Sequence, residues 1–420
     1  MKVLLVHNYL RPPSGENTVF EQERDLLRSK GDTVLAYTKH NQDISGMPSF
    51  RKAFIPIQAM WSWRAYHDIS RIIERDKPDV AHFHNIFPLI SPAAYWVCKN
   101  KGVPVVQTLH HYRIVCPGAL LFRENRICVE CSGMNFMPGI RYGCYRNSRI
   151  LTAGMASVIL FHKQLSTWQK SVDLYIALSE FALGMYKQLG FPSEDFFVKP
   201  NFLQNPISPR STNDGYGIYM GRIVEEKGIE CLLSALRNCP EIKFKIIGDG
   251  PLRDYLREKI IQWDLSNVEY LGVRDHDQCM DTLLGACFHV LPSQSYEGIP
   301  MVMLEAMSAG KPSIVSDLGV LPHMVNDGVD GLVFMAGSAG QLAAKMRWIV
   351  THPEEAREMG KNARRAFEEN YMEERNYRML MVAYDTARSN HERKRTRHLS
   401  RKEKNRDHRL PGHSGELRRV

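Results

Sequence analysis

The stretch FHVLPSQSYEGIPMVMLEAMSA, residues 288–309, carries a strand, a loop and a helix in that order. Phe288–Pro292 is a short apolar run of the kind buried on both faces of a parallel sheet. Met301 to Ala309 follows helical spacing, and Pro300 suits the first helical position, where a missing N–H costs nothing. Gly298 lets backbone approach a ligand closely. Glu297 lies in the loop and Glu305 eight positions on, inside the helix. A loop carboxylate accepts hydrogen bonds from sugar hydroxyls, one in the helix can hold a second diol such as a ribose, and the helix start offers free N–H groups to a diphosphate.

The same strand-then-helix unit recurs in both directions. Lys2–His7, Thr33–Thr38, Asp79–Asn85, Pro104–His110, Asp173–Ser179 and Phe196–Asn201 form one series of expected strands, buried on both faces. Gly217–Gly221, Ile242–Gly248, Val268–Leu271, Phe288–Pro292, Ser313–Ser316 and Gly331–Phe334 form a second. Strict alternation with amphipathic segments predicts an α/β chain of parallel sheets covered by helices. Pro, Ser, Asn and Gly cluster without periodicity near Asn201–Tyr216, which marks a linker. The expectation is two Rossmann-like doubly wound domains, 1–205 and 206–365, facing across a cleft, then a C-terminal helix over 366–390. Open parallel sheets bind ligands beyond the carboxyl ends of their strands, so the residues after each strand are the candidates.

After the strand Gly217–Gly221 come Arg222 and Lys227, two cations with no evident helical partner, suited to a diphosphate leaving group. After Ile242–Gly248 comes the turn Gly248-Asp249-Gly250-Pro251, suited to a base or ribose edge. Gly-Arg with Glu-Lys-Gly, Gly-Asp-Gly-Pro, and two glutamates separated by seven residues, in this order, resemble retaining glycosyltransferase family four of the GT-B fold. The resemblance covers about residues 1–387. It implies a nucleotide-sugar donor as substrate and no required cofactor. Arg222 and Lys227 would then bind the donor diphosphate, with Glu297 on the donor sugar and Glu305 on the nucleotide ribose. Gly15, in Ser14-Gly15 where the family shows a glycine pair, would approach the donor phosphates. His110 matches a histidine beside the transferred sugar and is, with Glu297, a candidate catalytic residue. His111 departs from the family's aspartate. A retaining, metal-independent transfer to a glycan or lipid-linked acceptor, in surface polysaccharide synthesis, is what the resemblance implies. A sugar-nucleotide epimerase of the same fold and a non-catalytic nucleotide-sugar or membrane-binding module are the alternatives.

Composition narrows the class. The balance of 44% hydrophobic and 24% charged residues is that of a globular protein. The net charge of +9 is mostly local, because residues 391–420 carry eleven Lys/Arg against four acids. That basic tail, poor in apolar residues, is expected to be disordered, and either draws the chain to an anionic membrane surface or is a solvated extension. Nucleic acid is not expected as a partner. The first residues lack a signal-peptide pattern, and no run reaches the length of a membrane span, so a cytoplasmic chain is expected, peripheral at the inner face of the membrane. Cys116, Cys128, Cys131 and Cys144 lie in an insert, 116–144, that breaks the alternation. Their spacing resembles a four-thiolate structural zinc site, with paired or free thiols as the other reading. Phe50 to Arg64 and Ile150–Trp168 mix aromatic, apolar and basic residues, suited to a headgroup layer or to ordinary packing. Asp275-His276-Asp277 imitates a metal-binding pair but fits a helix N-cap better. His82 and His84 alternate on one strand face and read as core or cleft-lining.

Overall fold

The computed structural model describes residues 1–10, 14–52, 54–133, 135–210 and 212–407. Arg11 to Pro13, within the loop after the first strand, and the end of the basic tail, 408–420, lie outside the described residues. Twelve strands form two all-parallel sheets of six. In the first, β1 (Lys2–Tyr9), β2 (Thr33–His40), β3 (Val80–Phe83), β4 (Val105–Leu109), β7 (Leu174–Ala177) and β8 (Phe196–Val198) stand in the order β2-β1-β3-β4-β7-β8. The insert contributes a two-stranded antiparallel ribbon, β5 (Phe122–Arg123) with β6 (Arg126–Ile127). In the second sheet, β9 (Tyr216–Met220), β10 (Lys243–Ile247), β11 (Val268–Gly272), β12 (Ala286–Leu291), β13 (Ser313–Ser316) and β14 (Gly331–Phe334) stand in the order β11-β10-β9-β12-β13-β14.

Both orders reverse direction once, and a crevice opens at each reversal. The reversal lies between β1 and β3 in the first sheet and between β9 and β12 in the second. The segments after β1, β9 and β12, together with those after β4 and β10, carry the candidate residues. Apolar residues on both faces explain the burial: every residue of β3, β4, β7, β9 and β13 is buried. The expectation of two buried faces fails at β2 and β8. These are the edges of the first sheet; β2 exposes Thr33, Ala36 and His40, and β8 is only half-buried.

Two expectations about the C-terminal part change. The boundary placed at 365/366 falls inside the continuous helix Pro353–Asn370. The last helix, Glu373–Asp407, runs well into the segment expected to be disordered. Its first half packs Leu380, Ala383, Tyr384 and Ala387 against Val3, Leu5, Val80 and Val106 of the first sheet. Farther on, His391 lies 3.0 Å from Asp173, and Lys394 lies 3.5 Å from Asp195 and donates to the Val172 carbonyl. Cations that looked unpartnered in sequence thus find an acid and carbonyls at the sheet, which is why the helix persists. No helix among the described residues is long and apolar enough to cross a membrane.

Candidate functional site

A cleft of about 870 Å³ separates the carboxyl ends of the two sheets. Gly15, His110, Arg222, Lys227, Glu297 and Gly298 all line it, so six of the nine candidates converge. Two glycines set its width. A Cβ at Gly298 would stand 3.1 Å from Leu178 and 3.6 Å from the His110 carbonyl on the opposite wall. At Gly15 it would stand 3.4 Å from Met301, already in contact, so side chains longer than alanine at either place would press on the opposite wall.

The remaining three candidates lie off the lining. Gly248 and Gly250 serve the packing of two loops: a Cβ on either would come within 1.8 Å of the Gly221 carbonyl oxygen or 2.4 Å of that of Ile223. They therefore hold the Arg222 loop against its neighbour, and only Pro251 of this turn reaches the cleft. Glu305 sits within the helix Met301–Ser308, where burial raises its pKa against the opposing pull of His276.

The cations are not unpartnered, contrary to the reading of the sequence. Arg222 pairs with Glu226 at 2.7 Å and Lys227 with Glu297 at 2.6 Å; Ser293 donates to the same oxygen of Glu297. The Lys227–Glu297 pair spans 70 positions and forms only because β9 and β12 are neighbours.

On the facing wall, His110 ends a chain of buried polar groups. Its Nε2 lies 2.9 Å from His84 Nδ1, and His84 Nε2 lies 3.3 Å from Glu23 Oε2. Lys199 donates to the other Glu23 oxygen at 2.6 Å and to Asn376 at 3.0 Å. Burial alone would push the Glu23 pKa up, but Lys199 and the two histidines outweigh it and hold the carboxyl well below its usual range. An ionised Glu23 favours the His84 tautomer with its proton on Nε2. His84 Nδ1 is then an acceptor, His110 donates to it from Nε2, and His110 Nδ1 keeps a lone pair. Burial, then His84 and His111, keep the His110 pKa low, so the ring is neutral near pH 7 and acts as a hydrogen-bonding group rather than a cation. His82 is satisfied by Tyr384 and Thr108 at 2.9 and 2.7 Å, which accords with a core role.

Glu16 was missed in the sequence. It follows Gly15 in the first turn of the helix Gly15–Ser29, lines the cleft, and leaves Oε1 buried without a partner. Its other oxygen is 3.7 Å from His111. The signal was present: an acid directly beyond the glycine, facing a histidine where the family has an aspartate. Burial raises its pKa to about 7 despite Arg113. A carboxyl with a raised folded-state pKa costs nothing below its usual 4.5 and its full penalty above about 7. Glu16→Gln should therefore match wild type at pH 4 and exceed it by up to about 3 kcal/mol at pH 8, read from urea midpoints.

The expected zinc site does not form as spaced. Charge coupling places Cys116, Cys128, Cys131 and Cys144 near one another. Yet Glu23, His82 and His84 are the one group among the described residues with ligand atoms gathered closely enough for a metal, and no set of cysteines is. Lys199 on Glu23 fills that place with a cation already. All nine cysteines are free thiols. Asp275, as expected, caps the helix His276–Gly285 in a reciprocal capping box with Gln278.

Comparison with known proteins adds the family. Residues 15–204 match the model described as Glycosyltransferase Family 4, and residues 203–366 that described as Glycosyl transferases group 1. An uncharacterized glycosyltransferase of Methanocaldococcus jannaschii, MJ1178, is 30% identical over 71% of this chain and 80% of its own length. The sulfoquinovosyl transferase SQD2 of Arabidopsis thaliana is 26% identical over 84% of this chain and 66% of its own. The fold resembles that of Anabaena HepE, solved in complex with UDP, at a TM-score of 0.63 and 18% identity, over 91% of this chain and 99% of that one. With two opposed parallel sheets, a cleft lined from both, and these relatives, the chain belongs to glycosyltransferase family 4, with the GT-B fold.

Proposed function

We propose that the chain transfers a sugar from a nucleotide-sugar donor to a saccharide or lipid-linked acceptor, with retention and without a metal, in surface polysaccharide synthesis. The observation that carries this reading is the convergence of Arg222, Lys227 and Glu297 at the second sheet's reversal, facing His110 across one cleft. The bond from the anomeric carbon to the donor phosphate breaks, and a bond to the acceptor hydroxyl forms on the same face. The hydroxyl proton passes to the departing phosphate oxygen. Arg222 and Lys227 meet the charge that develops on that phosphate, the work a metal would otherwise do. Glu297 and the neutral His110 hold sugar hydroxyls. Glu305 is proposed for the ribose, and Gly15 for the donor phosphates.

The acceptor-side surface supports a membrane setting. Pro56 packs on Gly154, joining the helices Ile55–Met60 and Arg149–Gln164. Phe54, Ile57, Trp63 and Ile150 stand exposed on or beside them. Residues 44–67 and 131–172 contain no Asp or Glu, so the charges these stretches bring to the surface are basic, although Asp68 pairs with Arg64 beside them. These features support the proposal that the chain works in the cytoplasm, against the inner face of the membrane.

Thermal unfolding with UDP, GDP, ADP and CMP in turn tests the donor half. One nucleotide at about 100 times its Kd should stabilise the wild type by roughly 2.7 kcal/mol and leave Arg222→Ala nearly unmoved. Stabilisation by none of the four would remove the donor assignment. Release of nucleotide from a sugar nucleotide at the same rate with and without acceptor would point to an epimerase instead.

A further inference from the structure

Two guanidinium groups in the acceptor half of the cleft play no part in the donor site. Arg113, after β4, lies with its Cζ 4.7 Å from the centre of the Tyr145 ring, and Arg146 lies 5.6 Å from the same ring. All three residues line the cleft. Tyr145 is fixed in turn, its N–H donating to Thr152 at 2.9 Å. The donor cations each have a carboxylate partner, whereas neither Arg113 nor Arg146 has a carboxylate within ion-pair distance among the described residues. Arg113 spends one donor on the Pro117 carbonyl.

Two further observations point to a ligand rather than to packing. Arg146 and Asn147 both adopt positive φ, 55° and 51°, a conformation that Asn tolerates but that is strained for Arg146. That strain turns the chain sharply at the cleft rim, just before Ser148 caps the helix Arg149–Gln164. The rim also stands within the acid-free run 131–172, so no neighbour in sequence can neutralise it. Guanidinium groups stacked on an aromatic ring keep their in-plane N–H forks free, and those forks match phosphate oxygens in pairs.

We propose that Arg113 and Arg146, held against Tyr145, form a second anion site that binds a phosphate group of the acceptor. The inference rests on the transferase reading above, since it names the acceptor's chemistry. A dianionic phosphate suits two guanidinium groups better than a sugar hydroxyl does, and a neutral acceptor would leave both unsatisfied. The phosphate belongs either to a lipid carrier or to a soluble phosphosugar. Ile150, four residues beyond Arg146 and 84% exposed, would suit a lipid chain attached to such a phosphate.

The test is calorimetric titration of the full chain, saturated with whichever nucleotide stabilises it so that the donor cations are occupied. The probes are farnesyl phosphate, glucose 1-phosphate and farnesol. At least one phosphate should bind, and Arg113→Ala and Arg146→Ala should each weaken it about tenfold while nucleotide affinity stays unchanged. Binding of farnesyl phosphate alone identifies a lipid-linked source; equal or exclusive binding of glucose 1-phosphate identifies a soluble one. If neither phosphate binds, if farnesol binds as well as its phosphate, or if both variants bind like wild type, the anion site is overturned. Failure of every nucleotide would remove the transferase reading separately, and the same phosphate titrations without nucleotide would still decide the anion site.

Discussion

Lys227→Ala is expected to lower the turnover of sugar transfer by about a hundred- to a thousandfold, the usual loss when one group stabilising a developing oxyanion is removed. Before donor binds, Lys227 and Glu297 hold each other at 2.6 Å inside the cleft. On the proposed reading the lysine exchanges a carboxylate for a phosphate as the donor enters, and its charge meets the charge that builds on the leaving group. On that reading Glu297→Ala should be comparably damaging for a different reason, since it removes a contact to the donor sugar. Because the pair is formed only before donor binds and each residue then acts on a different part of the donor, the single losses in turnover should roughly multiply in the double variant. Turnover numbers for the four proteins form the cycle, with nucleotide binding as the check on folding. Full activity in Glu297→Ala would remove the donor-site assignment.

The second large effect concerns stability. Glu23 and Lys199 are both fully buried, 2.6 Å apart. Glu23→Gln leaves the ammonium group buried without its counter-charge, and the expected cost is about 3–5 kcal/mol at pH 7. The sign with pH follows from the direction of the shift. The folded-state pKa of Glu23 is held well below its usual value of 4.5, so its stabilisation is present above about 4.5 and fades as pH falls through the folded value. The gap between wild type and Glu23→Gln should therefore narrow in acid, as urea midpoints at pH 7 and pH 3 would show. Replacing both partners, with Lys199→Met beside Glu23→Gln, should recover much of the loss. An unchanged midpoint at pH 7 in Glu23→Gln would mean that the pair is not buried as described. The same variant should scramble the His84 tautomer, lowering kcat with little change in KM.

The sheets were legible because alternation is local. Ser313–Ser316 and Gly331–Phe334 stand where the apolar runs placed them, and most other strands differ by one to three residues at each end. The donor loop was legible as well, since Glu297 and Gly298 lie in one continuous stretch. What stayed hidden depends on pairing between distant segments. Glu23 reads as an ordinary helix acid until Lys199, 176 positions away, is brought against it. The partners of Lys227 and His84 depend likewise on which strands become neighbours. The cysteine insert misled because chain spacing fixes contour length and not where the sulfurs point. The basic tail misled because composition does not show that Asp173 and Asp195 wait at the amino ends of β7 and β8.

The crossing of the last helix sets an order on synthesis. The first sheet has all its strands once Val198 has been made, but one face still lacks Leu380, Ala383, Tyr384 and Ala387. Until those emerge from the ribosome, Val3, Leu5 and Val80 have only part of their cover, from residues such as Phe20 and Leu27, while the second sheet can close on segments nearer in sequence. The amino-terminal half, translated first, is thus the half that finishes folding last.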